Sequence, residues 1–364
     1  MPSLREIAEE AGVSITTASR VLNQGKHANQ ISQACAEKVR AVAARLGYTA
    51  NYHARSMKLG RAETVGVAID LGEPAERDWW IAAPLSLPFF GGLLGGIERH
   101  LRSIGYRMMT IGGDAKLRAP DRGQLEIHQR RIDGLIVLGS LVYNDRTRFL
   151  SEATDDPIVV LDYAAPTPWP VIDFDDTRGM ELAISHLADL GHKELLWVGP
   201  NWLTSPQGRE KHFVTAAWDK GLRGSSVRFD VPIGPGLTRY RDGLLADAAQ
   251  AAVAKHLADN GRRFTGIVCY NDVVAIGAVG ALQQAGLRVP QDVSVIGFDD
   301  VQASLCNPRL TSVGHQLITM GERAAEMVMA MVNDHTTITR LRGTRELIDP
   351  ELVVRQSTGP APRG

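Results

Sequence analysis

The sequence predicts an α-helical head followed by an α/β body made of two doubly wound parallel-sheet subdomains. Residues 1–50 contain three short apolar stripes at helical spacing, and Gly12 and Gly47 end two of them. From residue 62 onward, apolar β-branched runs alternate with amphipathic stretches, a pattern typical of parallel sheets covered by helices. The alternation continues to residue 358, which fits two similar halves better than one sheet.

The head is predicted to form three helices, each preceded by a serine that can cap it. Their predicted spans are Leu4–Glu10, Ile15–Leu22 and 33–46, after Ser3, Ser14 and Ser32. Two short helices joined by a glycine-containing turn form a helix-turn-helix, whose second helix enters the major groove of DNA. A three-helix bundle that binds protein is the alternative.

Charge is distributed unevenly between head and body. Residues 1–60 hold eight basic and four acidic residues, a net charge of +4, while the whole chain has −1 and the remainder therefore −5. No acidic residue occurs between Glu37 and Glu63. This indicates a polyanionic partner for the head alone. A merely solvated basic face is the alternative on charge alone.

The body contains seven candidate strands and seven candidate helices. The strands are 64–69, 107–112, 134–139, 158–162, 194–199, 266–270 and 293–298. The helices are 90–104, 121–131, 178–190, 208–221, 243–259, 273–286 and 317–333.

Several other classes of protein are disfavoured. The chain has no apolar run long enough to span a membrane, and acidic residues stand where a signal peptide needs an apolar core, so a cytoplasmic location is expected. Cys35, Cys269 and Cys306 lie far apart without a CxxC, which argues against a disulfide framework or a zinc site. We therefore expect no metal and no cofactor.

An enzyme is also disfavoured, because no nucleophile and base are clustered in the sequence. The stretch GGLLGG at residues 91–96 lacks the Lys-Ser/Thr pair of a phosphate loop, so its glycines are expected to permit close helix packing against the sheet or a partner subunit. His192 has no serine or aspartate at triad spacing and is expected to be structural.

The stretch LREIAEEAGVSITTASRVLNQ at residues 4–24 resembles the DNA-binding head of the LacI/GalR family of bacterial transcriptional regulators. The resemblance implies base contacts from Ile15, Thr16 and Arg20, and phosphate contacts from Ser3, Thr17, Ser19 and Asn23. Two departures stand out. Cys35 and Ala36 replace the family's Thr-Arg pair near the DNA backbone, and Ala50 replaces the proline that precedes the hinge.

Residues 51–61, which begin NYHARSMKLG, match the family's hinge helix or linker, which forms on operator binding and enters the minor groove. A segment this short is not a stable helix by itself in water, so DNA and a second subunit must supply the missing free energy. Met57 occupies the position of the apolar wedge. The implied DNA contacts here are Asn51, Ala54, Arg55, Met57 and Lys58.

Two segments of the body, residues 171–200 and 265–300, are similar to the effector domain of the same family, which has a periplasmic-binding-protein-like fold. The resemblance implies an N-subdomain of about 62–162 and 313–343, a C-subdomain of about 163–312 and 344–358, a tail at 359–364, and three crossovers. It places a small ligand in the cleft, where the carboxyl ends of the strands meet.

Candidate effector contacts follow from these strand ends and their loops. Carboxylate, amide and guanidinium groups suit hydroxyl pairs, and aromatic rings provide walls, with core packing as the alternative for each aromatic residue. The candidates are Trp79, Trp80, Phe89, Phe90, Asp162, Phe174, Trp202, Arg209, Asn271 and Asp299. Asp175, Asp176 and Asp300 are expected to cap or close turns.

The predicted function is a ligand-responsive transcriptional repressor that binds double-stranded operator DNA as a homodimer. Its effector is expected to be a sugar or a sugar derivative. One alternative is control by a corepressor or by a partner protein; another is a sugar-binding protein without a DNA role.

Overall fold

The computed structural model describes residues 2–22, 31–48, 56, 60–69, 88–112, 119–139, 154–162, 166–201, 208–231 and 242–363. The chain divides into two compact units, Met1–Glu63 and Thr64–Gly364, which we call the head and the body.

Eleven α-helices and twelve strands occur in the described ranges. The helices are α1 Leu4–Ala11, α2 Ile15–Leu22, α3 Gln33–Arg45, α4 Pro88–Ser103, α5 Ala119–His128, α6 Asp176–Asp189, α7 Arg209–Asp219, α8 Asp242–Asn260, α9 Asp272–Gln284, α10 Leu317–Asn333 and α11 Thr336–Leu341. The strands are β1 Thr64–Ala68, β2 Arg107–Ile111, β3 Gly134–Leu138, β4 Ile158–Leu161, β5 Val171–Phe174, β6 Glu194–Pro200, β7 Arg223–Phe229, β8 Gly266–Cys269, β9 Ser294–Asp299, β10 Thr311–Gly314, β11 Arg345–Ile348 and β12 Glu351–Val353.

The head has the three predicted helices, and local signals set their ends. Ser3 and Glu6 form a capping box at the start of α1, and Ser14 Oγ accepts from the amide of Thr17 at 3.0 Å at the start of α2. Gly12 ends α1 with φ 66°, a conformation that favours glycine. The three helices bury one small core: Ile7, Ala8, Ala11, Ala18, Val21, Val39, Val42 and Ala43.

The body contains two sheets, as predicted, and each has six strands. We call the parts of the body built on the first and on the second sheet the first and the second subdomain. The first has the order β11-β5-β4-β3-β1-β2 with all pairs parallel. The second has the order β12-β10-β9-β8-β6-β7, parallel except for the β10–β12 pair. Central strands such as β1, β3 and β8 are buried along their whole length, as expected for strands covered on both faces.

The chain passes three times between the sheets: after β5, between β10 and α10, and between β11 and β12. This corrects the predicted subdomain boundaries. Residues 171–174 and 345–348, predicted in the C-subdomain, are strands of the first sheet. The sequence pattern missed β5 and β11 because charged residues, Asp173 in β5 and Arg345 and Glu346 in β11, interrupt their short apolar runs. It missed β7 because most of its side chains are exposed.

Helices α4 and α10 cross at very short range on the first sheet, and glycines make this possible. A Cβ added at Gly96 would lie 2.1 Å from the carbonyl oxygen of Ile318, and one at Gly321 would lie 2.2 Å from that of Leu93. Gly91 and Gly95 have no described atom within 4 Å of the same position. The glycine-rich stretch therefore packs one side of α4 against α10, within the chain.

His192 is fully buried in the second subdomain. Its Nδ1 lies 2.9 Å from Thr265 Oγ1, and its Nε2 lies 3.0 Å from Ser294 Oγ and 3.1 Å from the Gly359 carbonyl oxygen. These contacts tie the C-terminal segment to the sheet, in agreement with the expected structural role. Within the described ranges, no helix is both long and apolar enough to cross a bilayer.

Candidate functional site

The predicted DNA-contacting residues of the head lie on and around α2. Ile15 is 49% exposed and Thr16 is exposed, whereas Thr17, Ser19 and Arg20 are half-buried. An exposed isoleucine at the start of the predicted recognition helix suits apolar contact with a thymine methyl group, and hydroxyls suit phosphate or base edges.

The other residues of the head that the sequence analysis singled out either make contacts within the head or lie outside the described residues. The hydroxyl of Ser3 accepts from the Glu6 amide at 3.2 Å, and Thr17 Oγ1 lies 2.8 Å from Ser14 Oγ. Cys35 is half-buried near the start of α3. Asn23, Asn51, Ala54, Arg55, Met57 and Lys58 lie outside the described residues.

Arg209, the first residue of α7, is the centre of a buried polar cluster in the body. Its Nε donates to Asp176 Oδ1 at 2.9 Å, and its Nη1 donates to the Tyr270 carbonyl oxygen at 2.7 Å and to Asp299 Oδ1 at 3.4 Å. Its Cζ lies 5.1 Å from the Tyr270 ring centroid and 4.9 Å from that of Phe298. The guanidinium is thereby held in one orientation.

The charges of this cluster stabilise one another. Burial alone lowers the pKa of Arg209, but the negative charges of Asp176 and Asp299 outweigh burial and raise it. Burial raises the pKa of Asp299, but its hydrogen-bonding and charged neighbours, Arg209 among them, outweigh burial and hold that pKa below its ordinary value. The cluster therefore contains an ionised carboxylate and a cation at neutral pH.

His315, in the second crossover, completes the cluster. Its Nε2 lies 2.8 Å from Arg209 Nη2 and 3.3 Å from Asp299 Oδ1. Because a guanidinium has only donors, Nε2 accepts from Arg209 and the ring proton sits on Nδ1. Nδ1 is buried without a hydrogen-bond partner among the described residues. Buried polar atoms are normally paired, so Nδ1–H is the donor we expect a bound molecule to use.

Aromatic rings of the first subdomain meet this cluster. The Phe174 ring, at the end of β5, lies 3.8 Å from the His315 ring between centroids, at an angle of 33°. Phe89 in α4 lies 5.8 Å from Phe174 between ring centroids. Side chains of both subdomains thus converge where the first and second crossovers pass.

A cavity of about 350 Å³ opens beside the cluster, a size within the range of small-molecule sites. It lies between the starts of α4 and α10 on one side and the turn after β9 on the other. Its walls include Pro88, Gly92, Asp299, Asp300, His315 and Gln316.

The remaining predicted effector residues make other contacts or lie outside the described residues. Phe90 is 3% exposed and packs in the core of the first subdomain, which corrects its predicted wall role to core packing. Asn271 caps α9 by accepting from the Val274 amide at 3.0 Å. Asp162 follows β4 with φ 53° and is half-buried. Trp79, Trp80 and Trp202 lie outside the described residues.

Sequence reasoning missed His315 and the role of Asp176. Asp175 caps α6 through the Arg178 amide at 2.8 Å, whereas Asp176 binds Arg209 instead of capping. His315 follows a strand, β10, that the pattern did not predict; the strand-end rule applied there would have found it. Among the described residues, no group of histidine, cysteine, aspartate or glutamate side chains is arranged to hold a metal ion.

Known families match both parts of the chain. Residues 3–51 match the family described as bacterial regulatory proteins, lacI family. Residues 184–358 match the periplasmic binding protein-like domain.

Individual proteins match over nearly the whole length. The transcriptional regulator DegA of Bacillus subtilis (strain 168) is 30% identical over 98% of both chains. The crystal structure of the Lac repressor dimer bound to operator and the anti-inducer ONPF covers 98% of this chain and 99% of its own, with a TM-score of 0.74 and 24% identity. The structure of the regulator CelR in complex with cellobiose covers 98% of this chain and 100% of its own, with a TM-score of 0.59 and 23% identity.

Proposed function

Because this chain belongs to the lacI family of bacterial regulatory proteins, we propose that it represses transcription as a homodimer on a two-fold symmetric operator. The chain is a DNA-binding transcriptional regulator, and its helix-turn-helix head carries the basic excess of the sequence. A two-fold dimer presents two recognition helices to half-sites about one helical turn apart. Ile15, Thr16 and Arg20 are the proposed base contacts.

The proposed effector is a small polyol, a sugar or a sugar derivative, bound in the cavity beside Arg209. The observation that supports it is the cluster of Asp299, Arg209 and His315, of which Asp299 and His315 line that cavity. The Phe174 ring lies against His315 at 3.8 Å between centroids. Asp299 can accept from a hydroxyl, and His315 Nδ1 can donate to one. The Phe174 and Phe89 rings beside His315 suit the apolar face of a sugar ring. CelR, with a similar fold, binds cellobiose.

Effector binding in this scheme changes the operator affinity by a coupling free energy of about 1–3 kcal/mol, or about 5–150-fold. An inducer weakens operator binding and a corepressor strengthens it, so the sign of the change separates the two schemes. The relatives are transcriptional regulators, which supports a binding function in place of an enzymatic one.

The test is a fluorescence anisotropy titration at physiological salt. The DNA duplex upstream of the protein's own gene is compared with a shuffled duplex, with and without D-ribose, D-glucose and cellobiose. We expect tighter binding to the upstream duplex and a shift with at least one sugar. Equal affinity for both duplexes contradicts the repressor role, and sugar-independent binding contradicts the effector class.

Arg20→Ala is expected to weaken specific binding by about 1–3 kcal/mol, because the variant loses a base contact as well as a positive charge. Arg5→Ala is the matched control, since it removes the same charge from an exposed residue that pairs with Glu9. Anisotropy titrations of both variants check this. The preference for the upstream duplex is the ratio of its affinity to that of the shuffled duplex. If Arg20→Ala and Arg5→Ala reduce this ratio equally, Arg20 is not a base contact.

Met57→Gly and Ala54→Pro are expected to abolish specific operator binding and leave sugar affinity nearly unchanged, because both prevent the hinge helix. Met57→Leu, which keeps an apolar wedge and helix propensity, is the control and should retain binding. Operator affinity and sugar affinity are measured separately by anisotropy and calorimetry. Undiminished operator affinity in both Met57→Gly and Ala54→Pro contradicts the proposed hinge.

A further inference from the structure

The turn that presents Asp299 has an unfavourable backbone conformation. Asp299 has φ 91° and the next residue, Asp300, has φ 53°. Residues other than glycine rarely adopt such angles, and they persist only where the surrounding structure enforces them. Something outside the turn must therefore hold it in place.

The side chain of Asp272, at the start of α9, makes the contacts that do so. Its Oδ2 accepts from the amides of Val301 at 2.9 Å and Gln302 at 3.2 Å. Its Oδ1 accepts from the Ser312 hydroxyl at 2.6 Å, and Ser312 Oγ in turn accepts from the Asp300 amide at 3.2 Å. Three consecutive amides of the turn are thus bound to Asp272, directly or through one hydroxyl.

The fold also makes room for this carboxylate. Asp272 is only 1% exposed. A Cβ added at Gly297, in β9, would lie 2.4 Å from Asp272 Oδ1. Only glycine at position 297 allows the carboxylate to approach the strand that leads into the turn.

We propose that Asp272 is a positioning residue for the effector site, which sets the geometry of Asp299 through the turn at residues 299–302 without touching the effector. The proposal rests on the proposed function, in which Asp299 binds the effector. The role of Asp272 makes the geometry of this turn depend on pH. The amides of Val301 and Gln302 and the hydroxyl of Ser312 all donate to Asp272, and three donors require an ionised carboxylate. A protonated carboxyl group places a fourth hydrogen among them and loosens the turn.

The surroundings of Asp272 bring the protonation of its carboxylate close to neutral pH. Burial, followed by the charge of Asp299, raises the pKa of Asp272 to about 7, against the hydrogen bonds from Ser312 and Gln302. The other titratable or charged groups that act on it are Asp300, Cys269, Cys306 and Arg355. A sugar hydroxyl that donates to Asp299 reduces the repulsion at Asp272 and lowers its pKa. By linkage, sugar affinity must then rise with pH through this range.

The first test needs no effector. Hydrogen exchange of the full-length protein, followed by mass spectrometry and corrected for intrinsic rates, reports the protection of the Val301 and Gln302 amides. We expect Asp272→Asn to lower their protection at least tenfold, and wild-type protection to fall at least threefold from pH 8 to pH 6. Asp334→Asn is the control, since Asp334 also accepts a backbone amide, that of Thr336 at 3.0 Å, but on the first subdomain. Unchanged protection in Asp272→Asn, or a loss spread evenly over the second subdomain, overturns the proposal.

The second test is calorimetric titration with cellobiose at pH 6 and pH 8. Wild type and Asp334→Asn should bind about threefold more tightly at pH 8. Asp272→Asn should bind at least tenfold more weakly, with no dependence on pH. If wild type binds cellobiose and Asp272→Asn has the same affinity and pH profile, the positioning role is wrong. If wild type does not bind cellobiose, that counts against the proposed sugar effector, and the exchange experiment alone decides the role of Asp272.

Discussion

Arg209→Met is expected to lower the free energy of unfolding by about 3–5 kcal/mol, because it removes the buried cation that pairs with the half-buried carboxylates of Asp176 and Asp299. Asp176 lies 2.9 Å from Arg209 Nε, and Asp299 lies 3.4 Å from Nη1. Urea unfolding at neutral pH measures the loss. The same variant should show no thermal shift with sugars, because Asp299 and His315 lose the group that orients them.

Arg228→Met is the matched control for this prediction. Arg228 pairs with Glu210 at 2.9 Å, but its side chain is 54% exposed. Exposed ion pairs contribute at most about 1 kcal/mol, so this variant should unfold almost like wild type. Similar losses in the two variants would contradict the central role of Arg209.

The charge of Asp299 makes the free energy of unfolding depend on pH, and its contribution decreases on acidification. The pKa of Asp299 is lowered in the folded protein, so its stabilising contribution is present at neutral pH and disappears as the pH falls through the folded-state pKa. Arg209→Met removes a group that lowers this pKa. The stability difference between wild type and Arg209→Met should therefore shrink on acidification below pH of about 4.

Gly96→Ala is expected to destabilise the protein by about 3 kcal/mol or more, because α4 and α10 must move apart to admit a methyl group. The added Cβ would lie 2.1 Å from the Ile318 carbonyl oxygen and 3.1 Å from the Glu322 amide nitrogen, which are backbone atoms that cannot rotate away. Thermal and urea unfolding measure the effect.

Gly95→Ala, one residue away in the same helix, is the control. No described atom lies within 4 Å of its added Cβ, so the variant should gain about 1 kcal/mol from helix propensity. Sedimentation at the same concentration confirms that both variants keep the wild-type oligomeric state. Equal destabilisation by the two substitutions would contradict the close crossing of α4 and α10.

The helices of the head could be predicted because their signals are local. Ser3 and Glu6 are three residues apart, and Gly12 follows within the same short segment. The predicted end of α1 differs from the observed end by one residue. Strands β5 and β11 of the body carried weaker signals, because charged residues interrupt their apolar runs. Four-residue strands such as β5 and β11 become strands through pairing with each other across the sequence, from 171–174 to 345–348.

The candidate site could be predicted in part. Asp299 was proposed because it follows an apolar strand, and Arg209 and Phe174 because of the resemblance to a known family. His315 was missed because it follows β10, a strand that the pattern did not predict, and its contact with Arg209 joins residues 106 positions apart in the chain. Phe90 was assigned to the wrong environment, since neighbouring residues of one helix face different sides and only the packed helix shows which side is the core.

The sequence by itself determined the helix-turn-helix head, the alternation of strands and helices, and the family resemblance, because each depends on residues close together in the chain. The tertiary structure decided which strands share a sheet, which glycines lie at the α4–α10 crossing, and how Asp272 and Ser312 hold the turn that carries Asp299. Those features depend on distances between segments far apart in sequence. Burial and charge act through such distances, and a linear pattern does not contain them.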